Sequence, residues 1–166
     1  MNGDVDQILL LFGGFRNFDI NKYFDDDTQN RNPLCCCVES GSVEAVATML
    51  SMDGVDINYN LLNSKSPLTI AIRRKDLRMI EFLLDEGANP NQCEEVPLIV
   101  AAISGSDKWN QIIQILFKKS HFKIDLEKKH HTGRTVFDYC SSSQTKELLA
   151  LKVDEIWPKI GESHYV

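Results

Sequence analysis

Residues 66–91 read SPLTIAIRRKDLRMIEFLLDEGANPN. Pro67 has no N–H to lose and a preset φ, so it opens a helix at its first turn. Ser66, just before it, can cap that helix through its hydroxyl. Leu68 and the small Ala71 follow on the same segment. Ile80, Leu83 and Leu84 then recur at helical spacing and form one apolar stripe. Gly87 stops this second helix in the left-handed conformation that costs glycine least. Asn89 and Asn91 suit a tight turn. The segment therefore reads as helix, short loop, helix and turn, with an apolar stripe that needs a neighbour to cover it.

The unit recurs. Its opening aligns with Asn32-Pro33-Leu34-Cys35-Cys36-Cys37, with Val96-Pro97-Leu98-Ile99-Val100-Ala101 and with Thr135-Val136-Phe137-Asp138-Tyr139-Cys140. The second positions, 33, 67, 97 and 136, are separated by 34, 30 and 39 residues. Small residues (Cys37, Ala71, Ala101, Cys140) stand where adjacent helices must approach closely. Thr135 can cap the last opening helix as Ser66 caps its own. The second helices match too: Val43 to Leu50 before Gly54-Val55-Asp56-Ile57-Asn58, and Ile112 to Phe117 before Lys123-Ile124-Asp125. Val5 to Leu11 followed by Asp19-Ile20-Asn21 reads as the second half of a truncated leading unit.

These motifs resemble the T-P-L-H-x-A opening and the L-L-x-x-G-A-D-x-N ending of the ankyrin repeat, whose period is about 33 residues. The resemblance covers about residues 4–153. It implies an all-α repeat solenoid of helix-turn-helix pairs joined by β-hairpin-like turns. An N-terminal half repeat (4–21) would precede four repeats at about 27–58, 61–91, 92–125 and 130–157. Residues 1–160 would form one domain and 161–166 a flexible tail. The pattern departs from the family in four places. Two extra residues near Asp107 and Lys108 should lengthen a loop. The turn between Asn91 and Pro97 is short, the one between Asp125 and Val136 is long, and Val136 replaces proline. The polar run Ser141 to Gln144 fits a terminal unit facing water.

Composition narrows the function classes. Lys+Arg number 18 against 24 Asp+Glu, giving a net charge of −6, so no chain-wide basic surface for nucleic acid is expected. The longest apolar run, Ile8 to Phe15, is far shorter than the roughly 20 residues that span a bilayer, so no membrane association is expected. Asp4 and Asp6 argue against a signal peptide. Five cysteines, three of them consecutive, fit neither a disulfide scaffold nor a knuckle of paired cysteines. A reducing compartment is expected: the cytosol first, then the nucleus, or a host cell's cytosol if the protein comes from a pathogen.

Four clusters could carry chemistry. Cys35-Cys36-Cys37 cannot converge on one metal from a helix, because consecutive residues point about 100° apart. Cys35 and Cys37 are expected in the core and Cys36 partly exposed. His130-His131 could ligate a metal with His121 or Glu127, but these histidines match an exposed turn tip. Asp25-Asp26-Asp27 lacks the spacing of a calcium loop and reads as a solvated loop. Asn58 lies in a context that, by the family resemblance, an oxygenase hydroxylates; the competing expectation is a turn asparagine satisfying local backbone groups. No phosphate loop, nucleophile elbow or zinc-protease motif is present, and neither an enzyme nor a cofactor is expected.

The resemblance places partners in a concave groove formed by turn tips and first helices. Carried over by register, the groove positions are Thr28, Gln29 and Arg31 with Glu39 and Ser40; Leu62, Asn63 and Lys65 with Arg73 and Arg74; Gln92, Cys93 and Glu95 with Ile103 and Ser104; and His131, Thr132 and Arg134 with Ser142 and Ser143. Leu62 and Ile103 would be apolar anchors. Arg73, Arg74 and Lys75 form a basic knot suited to an acidic contact. The expectation is a monomeric, non-enzymatic protein-binding adaptor or inhibitor. The alternative is a metal- or redox-responsive protein using Cys35-Cys36-Cys37 with a histidine.

Overall fold

The computed structural model describes residues 20–21, 32–59, 66–92, 96–103, 108–140, 146–147 and 149–151. Seven helices are bounded within these: α1 (Pro33–Ser40), α2 (Val43–Leu50), α3 (Pro67–Arg74), α4 (Leu77–Asp85), α5 (Pro97–Ile103), α6 (Trp109–Lys119) and α7 (Val136–Tyr139). Residues 146–147 and 149–151 are helical as well. The leading half repeat's helix, Asp25-Asp26-Asp27, the tips at 60–65 and 93–95, and the tail at 161–166 lie outside the described residues.

Local chemistry starts and stops each helix. Asn32, Ser42, Ser66 and Asp76 each accept a hydrogen bond from a backbone N–H three residues on, at 2.7, 3.1, 3.2 and 3.1 Å. At α7 Thr135 forms a reciprocal capping box with Asp138, whose carboxylate accepts from the Thr135 N–H (2.8 Å) and hydroxyl (3.1 Å). Gly41 and Gly87 end α1 and the α4 turn at φ +78° and +91°. The buried polar groups at helix starts are satisfied: Thr69 donates to the Ser66 carbonyl at 2.8 Å.

The first helices α1, α3, α5 and α7 pack side by side in one layer. The second helices α2, α4 and α6 pack in another, each against its own first helix and against its neighbours. Between the layers Val46, Met49, Ile80, Leu83, Ile112, Ile113 and Leu116 are completely buried. Full burial of such side chains stabilises by about 1.5–3 kcal/mol each. Ala71 and Ala101 have no exposed surface, as close approach of neighbouring first helices requires.

α1 carries the cysteine run. Cys35 and Cys37 are buried and Cys36 is exposed, so the three thiols point to different environments. Burial, reinforced by Cys36 beside it, pushes the Cys37 thiol up to about 11. The neutral thiol is therefore favoured in the fold.

A second set of contacts joins the units edge to edge. The Asn21 side-chain amide donates to the Gly54 carbonyl (2.7 Å) and accepts from the Asp56 N–H (2.8 Å). Asn58 does the same to Gly87 (3.3 Å) and Asn89 (2.7 Å). Asn91 repeats the pattern at Lys123 (2.5 Å) and Asp125 (2.9 Å). Asn58 thus serves the next unit rather than its own turn, where only its N–H is held, by Asp56 at 2.8 Å. Local sequence could not show this, because the partners lie 29 and 31 residues away.

Asn58→Ala should leave the Gly87 carbonyl and Asn89 N–H without partners and lower the unfolding free energy by about 2 kcal/mol, read as a reduced urea midpoint. Iodoacetamide should label Cys36 in the folded protein while Cys35 and Cys37 react only after unfolding, as peptide mass mapping would show. Because the folded Cys37 pKa lies above the unfolded value of 9.0, the unfolded chain loses this proton first. The resulting stability is complete below pH 9 and should fall as pH rises from 9 towards 11 in chemical-denaturation titrations.

Candidate interaction surface

Arg73 and Arg74 end α3, and both are exposed. Their counterparts on α1, one unit earlier, are Glu39 (half-buried) and Ser40 (exposed). The Ser40 hydroxyl is spent locally, donating to the Cys37 carbonyl at 2.7 Å and accepting from the Ser42 N–H at 3.3 Å. Arg74 reaches back over the end of α1: a Cβ placed on Gly41 would lie 3.7 Å from its guanidinium. A cation there faces the negative end of the α1 backbone dipole.

Lys75 closes α3 with φ +58°, the one positive-φ residue other than glycine among the described residues. Its N–H bonds the Ile72 carbonyl (2.9 Å) while the Asp76 N–H bonds Ala71 (3.1 Å). Gly87 and Ala88 make the same pair of bonds to Leu84 and Leu83, at 3.1 and 2.9 Å. A side chain in this conformation costs roughly 1–2 kcal/mol. Sequence reasoning placed Lys75 beside the arginines but missed this strain. The signal was available: eight residues beyond the prolines at 33, 67 and 97 stand Gly41, Lys75 and Gly105.

The tip of the last turn is closed by His130 N–H to Arg134 carbonyl and Gly133 N–H to His130 carbonyl bonds, both 2.8 Å. His131, Thr132 and Arg134 are exposed there, as the register placed them. Beneath them the Thr132 hydroxyl meets the Tyr139 hydroxyl at 2.6 Å, and both meet His130 Nδ1, at 3.3 and 3.1 Å. The His130 and His131 rings lie against each other, with centroids 3.8 Å apart. The pair is thus engaged with Tyr139 and with itself, and His121 and Glu127 do not join it. Among the described residues no group of three His, Cys, Asp or Glu side chains is arranged to hold a metal ion.

Of the remaining groove positions, Gln92 is exposed. Thr28, Gln29, Arg31, Leu62, Asn63, Lys65, Cys93, Glu95, Ser104, Ser142 and Ser143 lie outside the described residues, and Ile103 is described only as the last residue of α5. No helix among the described residues is long and apolar enough to cross a membrane.

Comparison with known proteins gives the surface its context. The family model for ankyrin repeats (three copies) matches residues 1–93. Residues of this chain are 31% identical over 65 residues to an L-asparaginase of Dirofilaria immitis, covering 39% of this chain and 11% of that protein. They are 32% identical over 99 residues to the transient receptor potential channel pyrexia of Drosophila melanogaster, covering 58% of this chain and 10% of that protein. The chain therefore spans about a tenth of the length of the curated relatives it matches. Ankyrin repeats are generally protein–protein interaction modules and typically non-enzymatic. With more than half of its length matched, and with α5, α6 and α7 continuing the same two layers past residue 93, this chain belongs to the ankyrin-repeat family.

Proposed function

We propose that this protein is a non-enzymatic adaptor or inhibitor that captures an acidic segment of a partner protein on its concave face, around Arg73 and Arg74. The observation that carries the reading is Lys75. Its counterpart Gly41 makes the same turn without strain, yet here a third cation is held at φ +58° directly after two exposed arginines. Strained backbone persists where the residue does something the relaxed one cannot. Three adjacent cations offer two planar forks and a point charge to carboxylates. Lys108 adds to this end of the stack, its ammonium lying 3.5 Å from the Lys75 carbonyl. In this reading Glu39, His131 and Arg134 form part of the rim, with Leu62 and Ile103 as apolar anchors. The protein acts as a monomer, in the cytosol or nucleus.

The geometry of α1 gives the metal- or redox-responsive alternative no support, since its thiols diverge and two are buried. Affinity capture with the wild-type chain and with Arg73→Glu/Arg74→Glu tests the main reading. The double variant should lose the partners that the wild type retains, with an unchanged helical circular-dichroism signal. Unaltered capture would mean that the arginines are not the contact. Lys75→Gly should separate strain from binding, raising the unfolding free energy by about 0.5–1 kcal/mol while weakening partner capture.

A further inference from the structure

Charge along this chain is segregated. Residues 118–134 contain six of the 18 lysines and arginines and two of the 24 aspartates and glutamates, leaving twelve bases against twenty-two acids elsewhere. Three of the four histidines fall in the same segment.

The fold turns this segment into one edge of the stack. It starts on the last turn of α6, where Lys118 is exposed and Lys119 is tied to Asp85 of α4 at 2.8 Å. The Asn91 amide then pins the chain at Lys123 and Asp125, and the Lys128 ammonium donates to the Asn91 carbonyl. The edge ends on the hydrogen-bonded tip, where Lys129 and Arg134 are exposed and the Arg134 guanidinium lies 5.9 Å from the centre of the Tyr139 ring. No described carboxylate forms an ion pair with Lys118, Lys129 or Arg134. Phe122, 40% exposed, offers apolar contact on the same edge.

This edge meets the rim of the concave face at the tip but lies apart from the arginine knot. The tip leads directly into the start of a first helix, whereas Arg73 and Arg74 stand at the far end of one. An eight-residue helix separates those two ends by about 12 Å along its axis.

We infer that the Lys118–Arg134 edge is a second docking surface, for a short acidic segment of another polypeptide. The segment holds more cations than carboxylates, Asp125 and Glu127 on it and Asp138 beside Arg134 being outnumbered, and an anionic ligand relieves the net repulsion. The surrounding chain selects the ligand's size. A carboxylate-rich segment can lie along the edge alone. A nucleic acid or an anionic membrane extends well past a Debye length of about 8–10 Å and meets the acidic remainder of the chain. Arg134 adds a planar fork that matches a carboxylate.

Fluorescence anisotropy of the full chain with fluorescein-labelled octaglutamate tests this. In an Arg73→Glu/Arg74→Glu background, which removes the concave site's own attraction for acidic segments, Lys118→Glu/Lys129→Glu/Arg134→Glu should weaken the remaining binding about tenfold or more. Added salt should weaken the wild-type interaction. Equal binding with and without the triple substitution in that background, or no binding left there for it to weaken, overturns the proposal. So does tighter binding of labelled oligothymidylate or of phosphatidylserine vesicles, which would name a different class of ligand. A wild-type dimer in light scattering at low salt that the triple variant dissolves also overturns it, by making a second copy the occupant. Should the triple variant lose its helical signal, Lys118→Gln/Lys129→Gln/Arg134→Gln takes its place under the same criteria.

Discussion

A pair of short helices has too little surface to enclose its own apolar side. Leu83 and Leu84 of α4 reach zero exposure through the helices of adjoining units as well as α3. That dependence on the neighbour dictates the rest: helices in two layers, small residues where first helices touch, and a core that runs the length of the stack. It also leaves the outer faces of the helices and the turn tips outside the core, which is where recognition can be written.

The free positions are used unevenly. Ser40 is absorbed into closing its own helix, while Arg73, Arg74 and Lys75 occupy the same stretch one unit later with charge and a strained backbone. Arg74 also lies over the end of α1 at Gly41. The cationic features sit at opposite ends of the first helices on a chain that is acidic elsewhere. Such an arrangement suits recognition by local charge contrast better than attraction by net charge.

Much of this architecture was legible in the sequence because its signals are local. Prolines 33, 67 and 97 and their preceding Asn32, Ser66 and Val96 mark where first helices begin, and Gly41 and Gly87 mark turns. The spacing of Ile80, Leu83 and Leu84 fixed the buried stripe. What escaped was non-local or conformational. The reach of Asn58 to Gly87 and Asn89 crosses a whole unit, and no short window contains both ends. The joining of His130, Thr132 and Tyr139 depends on how the tip folds back onto α7. The charge of Lys75 was visible, but its backbone conformation became informative only beside its glycine counterparts. The groove residues followed from register alone, which assigns a face and leaves the contacts open.

The asparagine amides have a consequence for how the molecule bears load. Each one clasps the following unit through both its oxygen and its nitrogen, so tension applied along the stack passes through these clasps in series. After Asn91 the equivalent place, two residues past Asp125, is taken by Glu127, whose carboxylate has no N–H to give. From this place the two-handed clasp is not repeated, since a carboxylate only accepts. Losing one of the three clasps would open one joint while its neighbours hold, so rupture under tension would come in steps.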